Sequence, residues 1–208
     1  MLSLQLVAAG GCASDAALEP SHVLVEAAEV RPTWQSVLRP EDTVRLERVA
    51  EAWERGLTEA RRAGFGRRLA AEGDLLDPDA AQPRGELPPG SYRCRILRLG
   101  GSGRRAFAAQ GPHFCHVGVE GPLLSFTQQT GAPRPGGYLY DAGDDRLVFA
   151  GAAAGRREAV PPPYGVDPQR DVVGIIERVG SHRYRMIVPF PAGERSSLIV
   201  YELIPSLG

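Results

Sequence analysis

Apolar and polar positions alternate along much of the second half of the chain. In HRYRMIVPF, residues 182–190, the even positions His182, Tyr184, Met186, Val188 and Phe190 fall on one face, and Arg183 and Arg185 take the other. A period of two is the signature of a strand with one buried side. The same reading gives eight candidate strands: 92–99, 114–120, 123–130, 137–141, 146–150, 171–179, 182–190 and 198–204. The turn signals GGSG, EGP, TGAPRPGG, DAGDD, GAAAG, VGSH and PAGE punctuate them. Short, sequential strands of this kind predict an up-and-down antiparallel barrel or a closely related sandwich. Eight strands either leave room for one small ligand or fill with side chains.

The period changes upstream. Over 33–80, Leu46, Val49, Trp53, Leu57 and Ala60 recur at spacings of three and four and draw one apolar stripe on a helix. Pro40 suits the first turn, Glu41 and Asp42 suit its positive end, and Gly64 suits its stop. A shorter helix follows near Arg67 to Ala71. One stripe has nothing to bury itself against within the helix, so it must pack on the strands. The fold class is therefore α+β and mainly β: an N-terminal helical segment on an antiparallel barrel of about eight strands, lipocalin-like or related. Three stretches result: 1–32 as signal remnant and linker, 33–80 as helices, and 88–206 as barrel, the last two forming one structural unit.

Composition changes this picture in two ways. All 24 basic residues are arginine, and asparagine is absent too; with abundant Ala, Gly and Pro this points to a GC-rich coding genome. Arginine abundance is thus weak evidence for phosphate binding, and a net charge of −1 gives no global field that would gather nucleic acid. The three cysteines, Cys12, Cys94 and Cys115, make an odd count, which suits an exported protein only if one has a separate use. AAGGC, ending at Cys12, resembles the lipobox of bacterial lipoproteins, in which the cysteine receives lipid and becomes the mature N-terminus. Ala9 stands where a leucine is usual, and no basic residue precedes it; a start codon further upstream would account for the missing charge. The plain alternative is an incidental cysteine in an irregular N-terminus.

With Cys12 set aside, Cys94 and Cys115 are left to pair. A first hairpin centred near Arg104 and Arg105 opposes residues whose numbers sum to about 209, which sets Cys94 against Cys115 and Tyr92 against Val117. Bridging across two strands is then geometrically allowed. A free buried pair is the alternative.

GSYRCRILRLG, FCHVGVEGPLLSFTQQTGAPRPGGYLY and YGVDPQRDVVGIIERVGSHRYRMIVPFP resemble an uncharacterised bacterial family, known as domain of unknown function 4893. The resemblance extends to WQSVLRPEDTVRLERVAEAWERGLTEA and AEGDLLDPDA, and so covers most of the chain. It implies no established activity. Exported members of the family fit the lipobox reading.

Motifs that carry chemistry are sparse. His113, Cys115 and His116 form HFCH, but on a strand His116 faces away from the other two, and zinc needs three or four convergent ligands. Ser125, Ser181, Ser196 and Ser197 lack a nucleophile-elbow pattern. LGGSGRR lacks the ending of a phosphate loop, and Asp141, Asp144 and Asp145 in YDAGDDR read as a solvated hairpin tip. No cofactor and no metal site is expected. The proline-stiffened segment 161–171 is the most suggestive: Tyr164, Asp167, Arg170 and Asp171 could overhang a barrel mouth, joined by Arg134, Tyr138 and Tyr140. A structural pairing of Arg170 with a nearby carboxylate is the competing reading.

The function expected is a non-catalytic binding module for a small molecule or an envelope protein. Its place is the periplasm, anchored to the outer membrane by lipid at Cys12, with no nucleic-acid partner. Two other readings stand beside it: inhibition of a lysozyme-like enzyme by a projecting loop at 131–137, and a hydrolase using Asp167, Arg170 and Asp171.

Overall fold

The computed structural model describes residues 31–83, 87–143 and 145–206. Eight strands, β1 (Gly90–Leu99), β2 (Phe107–Glu120), β3 (Leu123–Gln128), β4 (Arg134–Asp141), β5 (Arg146–Ala154), β6 (Asp171–Gly180), β7 (Arg183–Pro189) and β8 (Leu198–Pro205), form a closed barrel. Each pairs antiparallel with the next, and β8 pairs back to β1, so no edge strand is left open.

Alternation decides what the barrel holds. Tyr92, Cys94 and Ile96 of β1, Phe126 of β3, Phe149 of β5, Met186 of β7 and Tyr201 of β8 point inward and pack into one core. Phe126 meets Phe149 edge-on at 5.7 Å between ring centres, and Tyr92 meets Tyr184 edge-on at 6.4 Å. Of the two outcomes open from sequence, side chains fill the body of this barrel.

The outward faces explain the helices. Helices α1 (Trp34–Val37), α2 (Pro40–Glu47), α3 (Val49–Arg62) and α4 (Gly66–Ala70) lie outside the barrel. Trp53, Leu57 and Ala60 of α3 cover Leu97, Leu99, Ile187, Leu198 and Val200. Gly56 lets α3 approach closely, since a Cβ there would sit 3.2 Å from that of Leu99. Leu46 of α2, with Leu38, instead packs on Tyr140, Val148, Val173 and Ile175. The single helix expected from the stripe is thus broken at Arg48 (ψ 18°). A barrel surface curves, and two short helices meet two separate patches that one straight helix could not.

Three further expectations are corrected. Phe190 does not continue the inward face of β7: with φ at 43° the backbone turns it out to the helix cluster, where the Arg48 guanidinium lies 4.4 Å from its ring centre. Residues 131–137 are not a projecting loop, because Arg134 to Gly137 belong to β4, with Gly136 opposite Thr127 and Gly137 opposite Gly151. The register of the first hairpin also differs. Tyr92 opposes Cys115 and Cys94 opposes His113, with a bulge before Ile96. The two cysteines are diagonal neighbours on the inward face and still form the disulfide, at a Cα–Cα distance of 6.0 Å.

Arg185 is the one fully buried guanidinium among the described residues. It points outward from β7, pairs with Glu177 at 2.8 Å, donates to the carbonyl oxygens of Leu75 and Pro78, and lies 5.0 Å from the Trp53 ring centre. Five donors on one planar group let it tie the segment after α4 to the barrel wall.

Candidate functional site at the loop-bearing end

An up-and-down order sends successive connections to opposite ends. Connections 121–122 and 181–182 are tight turns at one end, the end at which β4 also passes to β5. Connections 100–106, 129–133, 155–170 and 190–197 crowd the other. The longer segments, and the chemistry they carry, therefore gather at one rim.

Two cavities open there. The first has a volume of about 310 Å³ and reaches down to Val188, Ile199 and Tyr201, the upper layer of the barrel core. Pro135, Ala153 and Val172 form its sides, and Gln169, Arg170 and Glu194 stand at its rim. An apolar floor below a few polar rim groups is the usual build of a small-molecule site. The Tyr201 hydroxyl titrates well above the ordinary tyrosine value, because burial disfavours the phenolate more than Arg98 supports it.

The second cavity, about 600 Å³, adjoins the first across Glu194 and lies between connections 100–106 and 190–197. Arg98, Arg104, Arg105 and Arg195 line it, with Ser102 and Ser196.

The residues singled out by sequence do not converge on one point. Arg170 and Asp171 border the apolar cavity. The Arg170 guanidinium donates to the Ala153 carbonyl oxygen at 2.9 and 2.6 Å and pairs with Glu158. Asp167 is a turn residue: its carboxylate accepts the Gln169 N–H at 3.1 Å. Arg134 donates to the carbonyl oxygens of Gly131 and Glu158. Tyr138 is exposed on the outer wall and bonds Glu120 at 3.0 Å, and Tyr140 is buried beneath the helices. Cys115 is in the disulfide with Cys94, and His116 is exposed on the opposite face of β2. Cys12 lies outside the described residues.

Tyr164 and Asp171 meet α2 instead. The Tyr164 hydroxyl donates to Asp42 and accepts the Arg39 N–H at 3.0 Å; Arg39 pairs with Asp171 at 2.8 Å and with Asp42 at 3.2 Å, and Arg45 also pairs with Asp42. Burial pushes the Asp42 carboxyl up, but Tyr164, Arg45 and Arg39 together hold it below the ordinary carboxylate value. At Asp171 burial wins, and its carboxyl titrates above that value despite the Gly165 N–H and Arg39. This network fastens connection 155–170 to the helical layer.

The cavity floor was hidden in sequence because Val188, Ile199 and Tyr201 look like any inward strand residues. The available signal was their shared inward parity with their position near the loop-bearing ends of β7 and β8.

A family model described as a domain of unknown function, DUF4893, matches residues 34–203. A search of curated proteins finds no match. Among solved structures the chain is similar to a redesigned β-barrel at 11% identity, with 60% of this chain and 96% of that one covered and a TM-score of 0.41.

Proposed function

The chain belongs to the DUF4893 family, a domain of unknown function, and from that premise we propose that it is a non-catalytic binding module that holds a small, mainly apolar molecule at the loop-bearing mouth of the barrel. The observation that carries this reading is the cavity floored by Val188, Ile199 and Tyr201 above a packed interior. Binding there differs from storage inside the barrel, whose lower layers are occupied by packed core side chains. The acids that a hydrolase would draw on are engaged elsewhere: Asp167 in its turn and Asp171 with Arg39 and Gly165.

The protein works in the cell envelope, tethered by lipid at Cys12. Supporting this are AAGGC before Cys12 and the Cys94–Cys115 bridge, a bond that persists in oxidising compartments. The full-length gene product is expected in the membrane fraction, with a lipid mass on the peptide bearing Cys12. Cys12→Ser is expected to release it, and membrane association that survives this change counts against the tether.

Ala153 lines the cavity, so Ala153→Phe pushes a ring into it and narrows the space. A neutral naphthylamine fluorophore is expected to bind the parent chain saturably at one per molecule and to bind this variant at least about tenfold more weakly, a loss of some 1.4 kcal/mol. Saturable binding that is unchanged in a folded Ala153→Phe chain would place the ligand elsewhere and overturn the reading.

A further inference from the structure

The second cavity at the mouth has a different character, and its electrostatics are unbalanced. Four arginines, Arg98, Arg104, Arg105 and Arg195, line a space of about 600 Å³ together with one acidic residue, Glu194. Glu194 is already engaged: it accepts from Arg98 Nε at 3.0 Å and from the Ser196 hydroxyl at 3.0 Å. Arg98 also donates to Gln110 at 2.9 Å. The neighbouring carboxylate beneath the loop, Glu59, is engaged too, by Arg55, by the Gly101 N–H at 2.6 Å and by the Ser197 hydroxyl at 3.1 Å. Among the described residues Arg104, Arg105 and Arg195 have no ion pair and no side-chain hydrogen bond.

Arginine is abundant everywhere in this chain, so its number decides nothing. Its placement does. At the same rim Arg170 is held by Glu158 and Arg134 by backbone carbonyl oxygens, while Arg156 and Arg157 are exposed and line neither cavity. Here three unpaired arginines border one concavity together with Ser102 and Ser196, and its one acidic residue, Glu194, is already engaged by Arg98 and Ser196. Guanidinium forks favour oxyanions that accept two parallel hydrogen bonds, and several forks around one cup favour an anion with more oxygens than a carboxylate offers.

We propose that this cavity, between connections 100–106 and 190–197, binds a phosphate-bearing molecule through Arg104, Arg105 and Arg195. The site is separate from the apolar one, and the failure of either leaves the other standing. Its ligand is either a soluble phosphate ester or the headgroup of an anionic lipid, which share the recognised group.

Calorimetry of the folded chain with inorganic pyrophosphate, and flotation with phosphatidylcholine vesicles with and without phosphatidic acid, separate these sources. The paired change Arg105→Ser with Arg195→Ser is expected to weaken binding by roughly tenfold or more, whereas Arg67→Ser, on α4, leaves it unchanged. Added salt is expected to weaken binding as well. Saturable pyrophosphate binding lost in the paired variant supports a soluble ester. Flotation that needs phosphatidic acid and is lost in that variant supports a headgroup at the same site. No binding to either probe, or equal binding by the parent and the paired variant, would overturn the proposal. The Ala153→Phe chain is expected to keep its anion binding.

Discussion

Two carboxylates on either side of one guanidinium, Asp42 and Asp171 about Arg39, respond to acid in opposite directions. Asp42 is held below its ordinary value, so the stability it contributes is complete above the unfolded carboxylate value and is lost as pH falls through its folded one. Asp171 is held above, so its proton uptake favours the folded chain as pH falls, and that contribution disappears as pH rises through its folded value. Asp42→Asn is therefore expected to cost about 3 kcal/mol at pH 7, since it unpairs Arg45 and Tyr164 around a fully buried position. Its further loss of stability below about pH 4 should be shallower than that of the parent. Asp171→Asn is expected to cost less at pH 7 and to steepen the acid limb. Denaturant unfolding at pH 7 and pH 3 checks both, and two variants with the same pH dependence would contradict this account of the network. None of this could be read from sequence. Asp42 looks like an ordinary acidic residue in a first helical turn, and its partner Tyr164, like Asp171 on the other side of Arg39, lies more than a hundred residues away.

At the scale of elements, facing was legible where polar and apolar residues alternated, as over Arg183 to Met186 of β7, whereas β8 reads as a nearly continuous apolar run because the helices cover its outer face at Leu198 and Val200. Strand length was not. β2 begins at Phe107 rather than near 114, because Ala108 and Ala109 carry no β-branched signature yet are drawn into pairing with Arg98 and Leu97. Hairpin register was missed for a related reason. The bulge before Ile96 and the left-handed glycines of connection 100–106 shift the count by residues that no hydrophobic pattern reports. The disulfide survives that shift because diagonal neighbours on one face also come within bridging distance. It ties β1 to β2 across 21 residues, and replacing both cysteines by serine is expected to cost about 3 kcal/mol. A chain whose denaturation midpoint is unmoved by this double change would remove the bridge from the account of its stability. The helical stripe was read correctly in facing but not in continuity, because the period of three and four runs through Arg48 even though the two helices diverge there to different patches.

The whole molecule was readable as a barrel with helices against it because eight short strand-like runs separated by turn signals and one amphipathic run leave few other ways to bury their faces. Its candidate sites were not readable. The floor of the apolar cavity is made of core-type residues whose only distinction is to lie at the top of the core, and the arginine-lined cavity exists only once two connections ninety residues apart in sequence share one rim. On the function proposed above, what matters is what the long connections enclose, a small molecule held at the mouth. Native mass spectrometry of the full-length protein, purified from the cells that naturally produce it, tests this most directly. A reproducible extra mass is expected, released on denaturation and missing from the Ala153→Phe chain prepared in the same way. A bare mass from a folded preparation, or an adduct that Ala153→Phe retains, would contradict it.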